Sequence, residues 1–109
     1  MKISELVEKT GLKTINDYKD REVESVYISD MVSDIITSAK RNSILITLQT
    51  HKSLIAAANL VAAAMIVIVK GRRPNDDVVE LATKTGIGLF TSDLDTWTFA
   101  KKLTKLGLE

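Results

Sequence analysis

The residues best equipped for chemistry are few and fall in short polar stretches. They are Ser29-Asp30, Gln49-Thr50-His51, Lys70-Gly71-Arg72-Arg73-Pro74 and Thr91-Ser92-Asp93-Leu94-Asp95-Thr96. Together they offer hydroxyls, an amide, one imidazole and cationic groups. Such an array suits holding a small anion, above all a phosphate, which guanidinium forks and free backbone N–H groups recognise well. It is poorly suited to making or breaking bonds. His51 is the one histidine and there is no cysteine. His51 can act as a general base if a substrate sits at this edge, although a lone histidine at a helix start is more often structural or a ligand contact. Thiol nucleophiles, disulfides, zinc–thiolate and iron–sulfur sites are all excluded. Asp30 and Asp34 stand one helical turn apart. That is a spacing for paired carboxylates, and equally for a cap beside a solvated side chain. Gly71-Arg72-Arg73-Pro74 is no phosphate loop of the G-x-x-x-x-G-K-[ST] type, and no G-x-G-x-x-G occurs. No cofactor, metal or enzymatic activity is expected.

What must position these residues can be read from hydrophobic periodicity. Ser4 is placed to cap a first helix running to Lys9 and ending near Gly11. Lys13 to Asn16 suggests a short strand, Asp17 to Arg21 a loop, and Glu24 to Ile28 a strand. Asp30 to Ala39 reads as a helix whose stripe is Met31, Ile35 and Ala39, with Val32 and Ile36 beside it. Ile44–Leu48 is a nearly continuous apolar run and Met65–Val69 a continuous one, as strands buried on both faces should be. Between them Lys52 to Ala63 reads as a helix. Pro74 suits the first turn of the next helix, and Asp76, Asp77 and Glu80 suit its positive end. That helix runs to Thr85 and stops at Gly86. Leu89 to Thr91 is a short strand, and a last helix capped by Asp93 or Asp95 runs to Leu106. Strand and helix alternating with short loops imply an α/β fold. We expect three layers, α/β/α, around a mostly parallel sheet of about five strands, with residues 1–109 forming one domain.

In such sheets ligands bind beyond the carboxyl ends of the strands. The polar stretches above all follow strands, so Gln49, Thr50, His51, Lys70, Gly71, Arg72 and Thr91 are the expected binding residues. A structural reading stands beside this one. Ser29, Thr50, Ser92 and Asp93 are also typical helix caps. Arg72 and Arg73 can equally pair with Asp76, Asp77 or Glu80.

Composition narrows the partners. The formal net charge is +1, with no basic block of the kind that displaces counterions from a nucleic acid. The longest apolar stretch, Leu54 to Val69, is shorter than the about 20 residues of a membrane span. The first residues lack the apolar core of a signal peptide. Neither nucleic acid nor membrane is expected as a partner, and a cytoplasmic location fits the absence of cysteine. A homodimer is expected, because the helix over Lys52–Ala63 is apolar nearly all round and Trp97 falls outside the Phe99, Leu103, Leu106 stripe.

Three stretches, ILITLQTHKSLIAAANL (44–60), VKGRRPNDDVVELA (69–82) and TSDLDTWTF (91–99), give the sequence a likeness. It resembles the DRTGG domain family over nearly its whole length, and in particular the family's short stand-alone branch. The family's Asp-Arg pair falls near Thr50-His51 and its Thr-Gly-Gly near Lys70-Gly71-Arg72, where Gly71 alone is kept. The resemblance implies a fold like the N-terminal domain of HPr kinase/phosphorylase, without the separate P-loop domain that carries kinase chemistry. It implies a regulatory role: a module for a small anionic metabolite or nucleotide, or else a protein–protein module acting on a separately encoded enzyme.

Overall fold

The fold was described from a computed structural model covering residues 1–109. The helices are α1 (Ile3–Thr10), α2 (Val32–Ser38), α3 (Lys52–Leu60), α4 (Asp76–Thr85) and α5 (Thr96–Lys105). The strands are β1 (Lys13–Thr14), β2 (Ser25–Ile28), β3 (Ser43–Thr47), β4 (Met65–Ile68) and β5 (Gly88–Thr91). They form one five-stranded sheet in the order β1-β5-β4-β3-β2. The pairs β2–β3, β3–β4 and β4–β5 are parallel, and β1 returns antiparallel against β5.

This order explains the layers. From β2 to β5 each new strand is laid beside the last, always in the same direction. Right-handed crossovers then place α2, α3 and α4 together on one face. The packing agrees: Ile35, Leu54, Ile55, Val78 and Ala82 share a core with Leu45, Ile66, Ile68 and Leu89. On the opposite face Ile3 and Leu6 of α1 and Phe99 and Leu103 of α5 pack on Ile44, Ile46, Met65, Val67 and Phe90. Successive residues of β3 and β4 feed alternate cores. That is the reason for the apolar runs Ile44–Ile46 and Met65–Ile68, and both strands lie away from the sheet edges.

Several local expectations are corrected. Ser4 does not cap α1, which begins after Lys2 with no side-chain cap. Its hydroxyl instead donates to Asp20 Oδ2 (2.6 Å), tying α1 to the loop before β2. α2 buries only Ile35 of the expected stripe, while Met31 is 63% and Ile36 43% exposed. The reason is position: α2 covers β2, at the sheet edge, and has a helical neighbour only in α3. Pro74 lies outside α4, before the capping position Asn75. The caps expected at Ser29, Thr50, Ser92 and Asp93 are not formed. His51 caps α3 and Asp95 caps α5, the latter accepting from the Thr98 N–H at 2.7 Å.

The surplus apolar surface expected on α3 is also largely accounted for within the chain. α3 lies between α2 and α4 in one layer, so its flanks meet helices as well as the sheet. What it leaves outside is Lys52, Ala56, Asn59 and Leu60, the last 70% exposed. Trp97 is exposed as expected, with the Lys101 ammonium 5.9 Å from its ring centre.

Candidate anion-binding site

The chain leaves β4 through two consecutive residues in the left-handed region, Lys70 (φ 60°) and Gly71 (φ 66°). The Lys70 N–H donates to Leu94 O and the Gly71 N–H to Ser92 O, each at 2.8 Å. The β4–α4 loop is thereby fastened to the β5–α5 loop. A side chain at position 71 is disfavoured on two counts. The backbone sits where non-glycine residues are strained, and a Cβ would lie 3.2 Å from Asp93 Oδ1.

Between these loops and the end of α1 lies a cavity of about 330 Å³. The β4–α4 loop contributes Gly71 and Arg73, the β5–α5 loop Thr91, Ser92, Asp93 and Leu94, and α5 contributes Lys102. The turn from α1 into β1 closes it with Thr10, Gly11 and Lys13. Lys13 arrives there because β1 pairs antiparallel with β5, setting Lys13 opposite Thr91. β1 is short, but Asn16 extends the seam: its Nδ2 donates to Ile87 O and its Oδ1 accepts the Leu89 N–H, both at 2.9 Å. Lys13, Arg73 and Lys102 thus meet at one cavity, where Asp93 is the single carboxylate. None of the three cations takes part in an ion pair; the chain's ion pairs are Met1–Glu22, Lys9–Glu5 and Lys52–Asp77. Lys102 makes only a long bond to Thr10 O (3.5 Å). Unpaired cations around a polar concavity are the general arrangement that favours anions of phosphate type.

A second cavity, of about 290 Å³, lies at the ends of β2 and β3 and is lined by Asp30, Leu48, Gln49, Thr50 and Arg72. Arg72 Nη1 donates to Leu48 O at 3.4 Å. Asp30 Oδ1 accepts from the Leu48 N–H (2.7 Å) and the Thr47 hydroxyl (3.1 Å). Gln49 Oε1 accepts the N–H groups of Thr50 (3.1 Å) and His51 (3.0 Å).

Residues 5–106 match the DRTGG domain. The chain belongs to the DRTGG domain family. Its fold is also similar to a solved structure of the CBS and DRTGG domains of the regulatory region of Clostridium perfringens pyrophosphatase, complexed with the activator diadenosine tetraphosphate. The TM-score is 0.72 at 15% identity, covering 93% of this chain and 45% of the other. The DRTGG chain thus spans less than half of that regulatory region. No curated protein matches it in sequence. The stretches that carry the family likeness contain the carboxyl ends of β3 and β5 and the loop after β4, which line both cavities.

The residues expected to bind in this DRTGG domain all lie at the carboxyl end of the sheet, because the strands before them are parallel. They divide between the two cavities. Gly71 and Thr91 line the basic cavity, while Gln49, Thr50 and Arg72 line the second. His51 and Lys70 line neither. The His51 Nδ1 accepts the Ser53 N–H at 3.2 Å, so its ring serves as a helix cap. Lys70 acts on Asp95, whose carboxyl sits below the ordinary range. The Thr98 backbone N–H is the main cause, the Thr98 side chain helps, and the charges of Lys70 and Lys101 contribute less. Asp30 and Asp34 do not work together: Asp30 holds the end of β3, while Asp34 accepts from the Tyr27 hydroxyl at 2.7 Å.

Sequence reasoning did not bring Lys13, Arg73 and Lys102 to one cavity. Lys13 had no signal, since an antiparallel return of the first strand to the last is a long-range pairing. Lys102 looks like any lysine on the polar side of an amphipathic helix. Arg73 carries a signal, being next to Arg72 in the same polar loop.

Proposed function

We propose that this DRTGG domain is a non-catalytic regulatory module that binds a small anion, of metabolite or nucleotide class, at the carboxyl edge of its sheet. One observation carries the reading: Lys13, Arg73 and Lys102 converge without ion-pair partners on one cavity that also has the hydroxyls of Thr91 and Ser92. Cations left unpaired around a concavity repel one another and are stabilised when an anion enters. The likeness to the regulatory region of a pyrophosphatase supports the regulatory half of the proposal. The non-catalytic half rests on His51, the one imidazole, which is engaged as a helix cap. Purified protein should leave nucleotides intact; turnover lost on His51→Ala would contradict this.

The direct test is thermal unfolding with inorganic pyrophosphate. A native-state binder at about 100 times its Kd stabilises by about 2.7 kcal/mol, a clear rise in Tm. The rise should shrink in Arg73→Ala and vanish in the Arg73→Ala/Lys102→Ala double variant. An equal rise in wild type and double variant would place the anion elsewhere.

A second reading is favoured by a different surface. Ile28 (48% exposed), Met31 and Ile36 gather around β2, the edge strand of the sheet, whose Val26 N–H is taken by Glu109 O. This strip suits a second copy of the chain, making the domain a homodimer or a docking module for a separately encoded enzyme. Light scattering should then give about twice the 12.0 kDa chain mass, and Met31→Lys should return it to one chain.

A further inference from the structure

Arg72 and Arg73 are adjacent, yet they line different cavities. A single loop is the wall between the basic cavity and the second one. The second cavity has a different character. Arg72 is balanced there by Asp30, so it is formally neutral, and a second phosphate would face a carboxylate. Its polar atoms are only half used. Asp30 spends Oδ1 on Leu48 and Thr47, leaving Oδ2 without a partner in the chain. Gln49 spends Oε1 on two backbone N–H groups, leaving Nε2 to donate. The Thr50 hydroxyl makes no hydrogen bond within the chain, and Arg72 makes one long one. An acceptor, an amide donor, a hydroxyl and a guanidinium thus stand ready around a space of about 290 Å³. That set matches an uncharged group bearing both donors and acceptors, such as a ribose diol or a base edge.

Spacing supplies the second constraint. The basic cavity sits at the β1/β5 seam and the second at β3/β2. Those seams are three strand spacings apart, roughly 14 Å at about 4.8 Å each. A free phosphate cannot reach across; a nucleoside diphosphate can.

We propose that the second cavity takes the uncharged head of the same ligand whose phosphates occupy the basic cavity, so that the ligand class is a nucleotide. The proposal rests on the anion-binding reading above and adds to it the head-group pocket and its residues, Asp30, Gln49, Thr50 and Arg72.

Calorimetric titration of the whole chain with ADP and, separately, with pyrophosphate tests it. ADP should bind at least about tenfold more tightly, the worth of one or two added hydrogen bonds. Thr50→Val removes a hydroxyl with no structural bond, and should weaken ADP about fivefold while leaving pyrophosphate within about twofold. Thr50→Trp, which fills the space, should bring ADP down to the level of pyrophosphate. Equal affinity of wild type for the two probes, or ADP binding untouched by both Thr50 variants, overturns the nucleotide proposal and leaves the anion reading intact. Failure of pyrophosphate to bind at all overturns the anion reading, and this proposal with it.

Discussion

Arg73, Lys102 and Lys13 define the basic cavity, and Asp93 opposes them. Each has a signed consequence. Arg73→Ala should weaken pyrophosphate about tenfold, as loss of a charge-assisted pair does, and the loss should narrow as salt is raised. Asp93→Asn should tighten binding several-fold by removing the one carboxylate at the cavity; titration calorimetry measures both. Acid stability is also set residue by residue. The carboxyl of Asp95 is held below its ordinary value by the Thr98 backbone N–H, that of Asp20 by the Ser4 hydroxyl, and that of Asp34 by the Tyr27 hydroxyl. A carboxylate with a lowered folded pKa contributes stability above its unfolded value, and this is lost as pH falls through the folded pKa. The domain should therefore hold a flat Tm at neutral pH and lose stability progressively below about pH 4. Asp95→Ala should lower Tm at pH 7, and its deficit against wild type should shrink below that pH. At this scale the sequence was only partly legible. It placed the loops at the carboxyl edge but could not assign Arg72 and Arg73 to separate cavities, because which of two adjacent loop residues faces which cavity depends on a backbone path that residue types do not encode.

At the scale of elements, the strands were the most legible part. Ile44–Leu48 and Met65–Val69 advertise burial on both faces by composition alone. The helix α2 was over-read, since an apolar stripe at i, i+4 spacing says nothing of whether the helix ends up at a sheet edge. β1 could be sighted but not paired. Its pairing matters, because it brings Lys13 to the basic cavity and leaves room for Tyr18 to meet Phe90 edge to face, ring centres 5.1 Å apart. Gly88 makes that contact possible: a Cβ there would lie 2.6 Å from Phe90 Cε1. Gly88→Ala should cost about 1–3 kcal/mol in urea unfolding, as overpacking does. At the other end of the sheet, Arg21 donates to Ala63 O (3.0 Å), Ala62 O (3.2 Å) and Asn42 Oδ1 (2.7 Å). It joins the loops before β2, β3 and β4. Arg21→Ala should cost about 2 kcal/mol by the same measurement and leave pyrophosphate affinity unchanged, because it acts at the opposite edge.

For the whole molecule, strand order decides which residues can act together. Laying β2 to β5 side by side puts the loops after β3, β4 and β5 along one edge, and the returning β1 adds the end of α1 to it. The strand–helix rhythm made the parallel sheet and its carboxyl edge legible. The division of that edge into a basic and a neutral cavity was not, because it depends on where the β4–α4 loop crosses. The central claim is that the basic cavity is the anion seat. The most direct measurement is a backbone amide NMR titration of the domain with pyrophosphate. The account predicts saturable shifts concentrated at Gly71, Arg73, Ser92, Asp93, Gly11 and Lys13, lost in the Arg73→Ala/Lys102→Ala variant. Shifts spread evenly over the surface lysines, or confined to the opposite edge around Arg21 and Asn42, would contradict it.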